Sequence, residues 1–175
     1  MRIFSGRIGK NRIAKKMEKN FSHIDSSGDV RMVNVGKKGV TKRIAKANCT
    51  LKMNPSTLEA ISDNKIKKGN VLTTAKIAGI FAAKKVDSLI PMCHSLPVDH
   101  IDIQFKIDKD LGELEIRSEV SVNARTGAEM EALQAVAQAA LTVYDMCKAV
   151  DRGMIISDIR LMEKSGGKSG LWKRE

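Results

Sequence analysis

The sharpest periodicity in the chain lies between residues 100 and 107, where Ile101, Ile103, Phe105 and Ile107 alternate with His100, Asp102, Gln104 and Lys106. A period of two places the apolar side chains on one face of a strand. After Lys109-Asp110-Leu111-Gly112 the alternation resumes through Leu114, Ile116, Ser118, Val120 and Val122, which predicts an antiparallel hairpin with one apolar face. A looser alternation from Val40 to Met53 puts Arg43, Ala45, Ala47, Cys49 and Leu51 on one side and predicts a first strand; Met154 to Glu163 predicts a last one.

The helical period fills the gaps between these strands. Asn54-Pro55-Ser56 supplies a cap and a start for a short helix from Thr57 to Ile66, with Leu58 and Ile61 on one face and Lys68-Gly69 closing it. A second helix is predicted from about Thr73, because Ala75, Ile77, Ala78, Phe81, Ala82 and Val86 recur at helical spacing, and it ends before Pro91. The longest opens at Thr126 or Gly127 and runs to about Val150 through an alanine-rich interior of high helix propensity. The resulting order, β-α-α-β-β-α-β, predicts an α+β fold of ferredoxin-like type, an antiparallel sheet covered by helices.

Length fits one such domain: 175 residues can bury a core without disulfide or metal staples. Charge divides the chain unevenly. Of a net +11, seven cations against Glu18 place +6 in the first twenty residues, so 1–20 is expected to be a basic, flexible extension and 21–175 a single catalytic domain. The body's remaining surplus calls for an anionic partner, and with only four Phe, one Trp and one Tyr there are few stacking platforms for nucleic acid. A phosphate-bearing small molecule fits better. No apolar run approaches the roughly 18 residues of a membrane span, so no membrane partner is expected. Cys49, Cys93 and Cys147 are far apart and suggest neither a disulfide framework nor a metal site, making a reducing cytoplasm the expected compartment.

Five short stretches carry candidate chemistry. Met92-Cys93-His94 lies between Pro91 and Pro97 on a connection, where a buried Cys and a surface His are the plain reading and an acid/base or substrate-binding pair the alternative. Glu129 and Glu131 flank Met130 at a helix start; they either complement the helix dipole or, projecting roughly 200° apart, serve separate tasks. Asp145 and Lys148 are spaced to meet on one helix face, as a surface ion pair or as catalytic groups. Lys164-Ser165-Gly166-Gly167-Lys168-Ser169-Gly170 lacks the first glycine of a Walker A loop, leaving an anion-wrapping loop and a mobile tail as the two readings. Lys68, beside Gly69, reads as a helix terminator or as another cation for a phosphate.

In order along the chain, Phe21-Ser-His-Ile-Asp with Met32-Val-Asn-Val, Lys68-Gly-Asn-Val, Thr74-Ala-Lys-Ile-Ala-Gly-Ile and Leu89-Ile-Pro-Met-Cys-His-Ser-Leu are followed by Arg125-Thr-Gly-Ala-Glu-Met-Glu-Ala-Leu, Ala140-Leu-Thr-Val-Tyr-Asp-Met-Cys-Lys-Ala-Val and the Lys164 to Gly170 loop. Together these blocks resemble the cyclic pyranopterin monophosphate synthase family, the molybdenum cofactor biosynthesis protein C family. The resemblance implies conversion of 3′,8-cyclo-7,8-dihydro-GTP to cyclic pyranopterin monophosphate plus pyrophosphate, by a lyase that needs no cofactor, with Mg²⁺ left open as a companion of the triphosphate. It further implies a cytoplasmic homo-hexamer, a trimer of dimers. By similarity Met92, Cys93, His94, Met130 and Glu131 bind substrate, Asp145 is the acid/base, Lys68, Glu129, Lys148 and Lys164 complete the active site, and Arg43 contacts phosphate. Departures are few: Ser95, Arg125 and Asn34 stand where the family usually has Pro, Lys and Asp.

Two further expectations follow. The reading from another class is a non-catalytic nucleic-acid or scaffold-binding module that uses the basic N-terminal arm, and the scarcity of aromatics speaks against it. Within the catalytic reading, Glu131 and Asp145 are fourteen residues apart on one predicted helix, roughly 21 Å by helical rise. A second chain is therefore expected to complete each site, unless the helix is broken near Gln138 or the substrate spans the gap.

Overall fold

The computed structural model describes residues 29–175; the expected extension at 1–20 and His23 lie outside the described residues. The compact unit is Val35–Glu175, and its architecture is the α+β arrangement expected from the alternating segments. Strand β1 (Thr41–Lys52) leads through helix α1 (Pro55–Ser62) and helix α2 (Val71–Ala83) to the hairpin β2 (His100–Asp108) and β3 (Glu113–Ala124). Helix α3 (Glu129–Cys147) returns the chain to β4 (Ile155–Ser165) and a short β5 (Trp172–Lys173). The sheet order is β2-β3-β1-β4-β5 with every neighbouring pair antiparallel. β1 is central, flanked along its length by β3 and β4.

Only one face of that sheet is apolar. Ala45, Ala47, Cys49 and Leu51 of β1 and Leu114, Ile116, Val120 and Val122 of β3 are fully or almost fully buried, and they meet Ala132, Ala135, Val136, Ala139, Ala140 and Val143 of α3 in one core. Ser118 is the one polar side chain within this inward row of β3, and its hydroxyl donates to the Ala132 carbonyl at 2.8 Å, which satisfies it against the helix. On the edge strand β2 only Ile103 is fully buried, while Ile101, Phe105 and Ile107 are partly covered. The opposite face carries ion pairs such as Lys46 with Glu119 at 3.1 Å.

The helix boundaries differ from expectation for local reasons. α1 stops at Ser62, short of the expected Ile66. Asn64 takes a left-handed φ of 56°, and the Lys65 and Asn64 amides donate to the Ala60 and Ile61 carbonyls at 2.8 and 3.1 Å, a Schellman ending that turns the chain away. α2 starts earlier than Thr73, because the Asn70 side chain accepts from the Thr73 amide at 2.8 Å and caps the first turn. It ends at Ala83 and does not reach Val86, which belongs to a separate single turn, Val86–Ser88. α3 is shorter at both ends than the expected 126–150. β5 was not anticipated. Within the Lys164 to Gly170 segment, Lys164 and Ser165 end β4 and the rest connects it to β5, closed by the Arg174 amide donating to the Met162 carbonyl at 2.9 Å and by Lys173 pairing with Glu163 at 3.1 Å.

α2 and α3 approach closely at Gly79. A Cβ there would lie 2.6 Å from the Ala135 carbonyl oxygen and 2.5 Å from Ile103 Cδ1, and the carbonyl, being backbone of a packed helix, cannot yield. Gly79→Ala is expected to lower stability by about 1–3 kcal/mol of overpacking, outweighing the roughly 1 kcal/mol gained in helix propensity. Urea denaturation measures the balance; a raised midpoint would show that the two helices have room to spare.

Candidate active site

Residues with candidate chemistry gather at the two ends of α3. Near its start is an open cavity of about 620 Å³ between the beginning of β1, the Arg125-Thr126-Gly127 turn and the loop after β4. Six cations line it, Lys37, Lys38, Arg43, Arg125, Lys164 and Lys168, against one carboxylate, Glu129. Lys164 already pairs with that carboxylate at 2.9 Å. The balance left over suits a multiply charged anion such as a phosphate chain.

Arg43 is held in this cavity by backbone alone. Its guanidinium donates to the Gly166 carbonyl at 3.3 Å and to the Arg125 carbonyl at 3.4 Å, while Nε is buried without a hydrogen-bond partner. The glycines make the seat. Gly166 and Gly167 have φ of 97° and 68°, and a Cβ on Gly167 would run into the Arg43 guanidinium. The loop is thus a built wall of the cavity; the alternative of a mobile tail is set aside by these contacts and by β5.

Glu129 and Glu131 leave the helix in different directions. Glu129 reaches the cavity, whereas Glu131 is only 4% exposed. Burial pushes the Glu131 carboxyl up to about 7; its own backbone amide pulls the other way, and the negative charges of Glu129 and Asp87 add to the rise. Glu131 in turn acts on Cys93, whose thiol is raised first by burial and then by this carboxylate, so Cys93 stays a neutral thiol. The connection from Val86 to Val98 therefore passes beside the first turn of α3, with Met92, Cys93 and His94 half-buried between exposed Pro91 and Ser95. Met130 is half-buried in the same turn of helix.

At the other end of α3, Lys68 donates to the Asp145 backbone carbonyl at 2.7 Å and to its carboxylate at 3.0 Å, and Lys148 pairs with the other carboxylate oxygen at 2.7 Å. Placing two ammonium groups at a helix C-terminus also complements its dipole. The Asp145 carboxyl is held below the usual carboxylate range by its hydrogen bonds from Lys148 and then Lys68. Asp145 raises Lys148 in return. All three side chains are about half exposed, so they form an open Lys-Asp-Lys cluster with one positive charge in excess.

The fold brings Arg43, Glu129 and Lys164 together, sets Glu131 beside Cys93, and joins Lys68 to Asp145 and Lys148. It does not bring the last group to the others within one chain. α3 is continuous from Glu129 to Cys147, so Glu131 and Asp145 stand roughly 21 Å apart along it, and a break near Gln138 is ruled out. Lys37 and Lys38 were missed in the sequence; a Lys-Lys-Gly step before a strand is too common to stand out.

Residues 32–167 match the MoaC family, a span that holds every side chain just placed except Lys168. The chain belongs to the MoaC family. Among its relatives, a cyclic pyranopterin monophosphate synthase of Peptoclostridium acidaminophilum is 50% identical over 155 residues, 89% of this chain and 98% of that protein. Proteins with the same name from Desulforapulum autotrophicum and Chloroflexus aurantiacus are 53% and 52% identical, each over 87% of this chain and 94% of their own length. No helix among the described residues of this MoaC family member is long and apolar enough to cross a membrane.

The buried acid makes stability depend on pH. Unfolded, Glu131 releases its proton near 4.5; folded, it keeps it to about 7. Across that window the folded state binds more protons, so this group's contribution falls as pH rises and is level above about 7. Glu131→Gln is neutral throughout and should gain on the order of 3 kcal/mol relative to wild type between pH 4.5 and 8. Denaturant midpoints of both proteins across this range check it; a difference that does not grow with pH would mean that Glu131 is ionised in the fold.

Proposed function

We propose that this chain is a cyclic pyranopterin monophosphate synthase, converting 3′,8-cyclo-7,8-dihydro-GTP to cyclic pyranopterin monophosphate and pyrophosphate. The observation that carries the reading is the cation-lined cavity beside a buried carboxyl that is raised to about 7. The cations take the triphosphate and favour departure of pyrophosphate, since they stabilise charge that grows on the leaving oxygens. Glu131, near half protonated at neutral pH, can give or take a proton as the purine ring opens and the pterin forms. Asp145, kept ionised by its two lysines, serves as the proton acceptor, and Lys68 and Lys148 hold negative charge that develops beside it. Met92, Cys93, His94 and Met130 offer a half-apolar surface for the base. Arg43, Glu129 and Lys164 belong to the phosphate end. No resident cofactor is part of this reading, and Mg²⁺ would enter with the triphosphate.

The enzyme we propose is a cytoplasmic homo-hexamer, a trimer of dimers, whose sites each draw on two chains. The unbroken α3 supports this, because one chain cannot offer Glu131 and Asp145 to the same small nucleus. The test is an assay of pyrophosphate release from the cyclised GTP derivative. Wild type should turn it over, Glu131→Gln and Asp145→Asn should each lose most activity, and the two inactive variants mixed with verified subunit exchange should recover part of it. Wild type that releases no pyrophosphate refutes the function; exchanged mixtures that stay inactive refute the shared site.

A further inference from the structure

Of the described residues only two carboxylates are buried, Glu131 and Asp151. The mechanism above uses the first. Asp151 lies on the exit from α3, three residues beyond Lys148, and is 5% exposed. Both of its carboxyl oxygens are engaged: Oδ2 accepts from the Asn54 amide at 2.8 Å and from the Thr57 hydroxyl at 3.3 Å, and Oδ1 accepts from the Gly153 amide at 3.0 Å. Its own amide donates to the Cys147 carbonyl at 3.1 Å, which ties it to the last turn of α3.

Two of these partners are the head of α1. That helix has no acid in its first turn, and its cap residue, Asn54, makes no capping bond with its side chain. A carboxylate from 97 residues away takes the place of a local cap, where an uncapped helix start favours negative charge. Thr57 is itself among the few buried polar residues, so its hydroxyl depends on Asp151 as well. At the far end of the same helix the Schellman turn at Asn64 delivers the chain to Lys68, which closes on Asp145. The segment from Asn54 to Lys68 is therefore pinned to the end of α3 at two points, one buried at Asp151 and one exposed at Asp145.

We propose that Asp151 is a positioning residue of the active site: by clamping the head of α1 to the exit of α3, it sets where Lys68 meets Asp145 and Lys148. It touches no substrate and acts through Lys68. The buried hydrogen bonds at Asp151 are the stronger of the two attachments, because the Lys68 end is exposed to water and salt. Without Asp151, the exposed Lys68 contact would be the one polar attachment left to the end of α3, beside the packing of Leu58, Ile61 and Ile66 in the core.

The proposal rests on the reading of Lys68, Asp145 and Lys148 as catalytic groups, and its test separates the two. Asp151→Asn keeps the shape and removes the charge; Thr57→Val removes a single contact and guards against a misfolded Asn variant, with Thr57→Ser as the conservative rescue. In Asp151→Asn, amide hydrogen exchange across residues 64–70 should quicken relative to the strands, and kcat should fall about tenfold. Thr57→Val should move both readouts in the same direction by less, and Thr57→Ser should restore them. In a Lys68→Ala background Asp151→Asn should cost little further kcat, whereas in an Arg43→Ala background it should cost the full factor. Unchanged exchange at 64–70, or a kcat loss that multiplies equally in both backgrounds, overturns the proposal and leaves Asp151 as a stabilising cap only. Wild type that turns nothing over, together with the expected exchange change, keeps the clamp and removes the reaction.

Discussion

The structure depends on the contact between α3 and the middle of the sheet. Alanines on the helix face alanines and a cysteine on β1, and the small side chains let a nineteen-residue helix lie flat on the central strands. Gly79 admits α2 to the same layer. The burial is general and non-directional, but small residues convert it into a close fit with little freedom to slide or roll. Everything charged at either end of α3 inherits its position from that fit.

The two ends then differ in what covers them. At the start, Glu131 is buried near Cys93 and Asp87, so a carboxyl becomes a weak acid that titrates near neutrality. At the finish Asp145 is exposed, and the lysines beside it keep it charged. One helix thus presents two carboxylates with opposed protonation habits, set by burial on one side and by hydrogen-bonded cations on the other. The distance between them is fixed by the helix, which is why a second chain enters the functional reading.

Much of the fold was legible from short-range pattern. β2 and β3 alternate strictly, and the loop between them is short enough to admit only a hairpin. The helical spacing of Ala75, Ile77, Ala78, Phe81 and Ala82 announces α2, and the alanine run announces α3. Boundaries were less legible where a single residue's backbone decided them: Asn64 ends α1 by turning left-handed, although Lys65 and Ile66 continue an acceptable helical pattern. β5 has two residues, too few for a period to register, and is held by Arg174 and Lys173 reaching back to β4.

The sequence by itself determined the order of the main elements, which face of β1, β2 and β3 goes inward, the separation of Glu131 from Asp145 along one helix, and the family to which the chain belongs. These are properties of spacing, and spacing survives without coordinates. Tertiary structure decided which of the two neighbouring glutamates is buried, that Arg43 is seated by Gly166 and Gly167 from the far end of the chain, that Lys68 closes on Asp145, and that Asp151 caps a helix it does not adjoin. Each of these joins residues distant in sequence, and the energy of burying a charge or satisfying a donor depends on what the fold places around it.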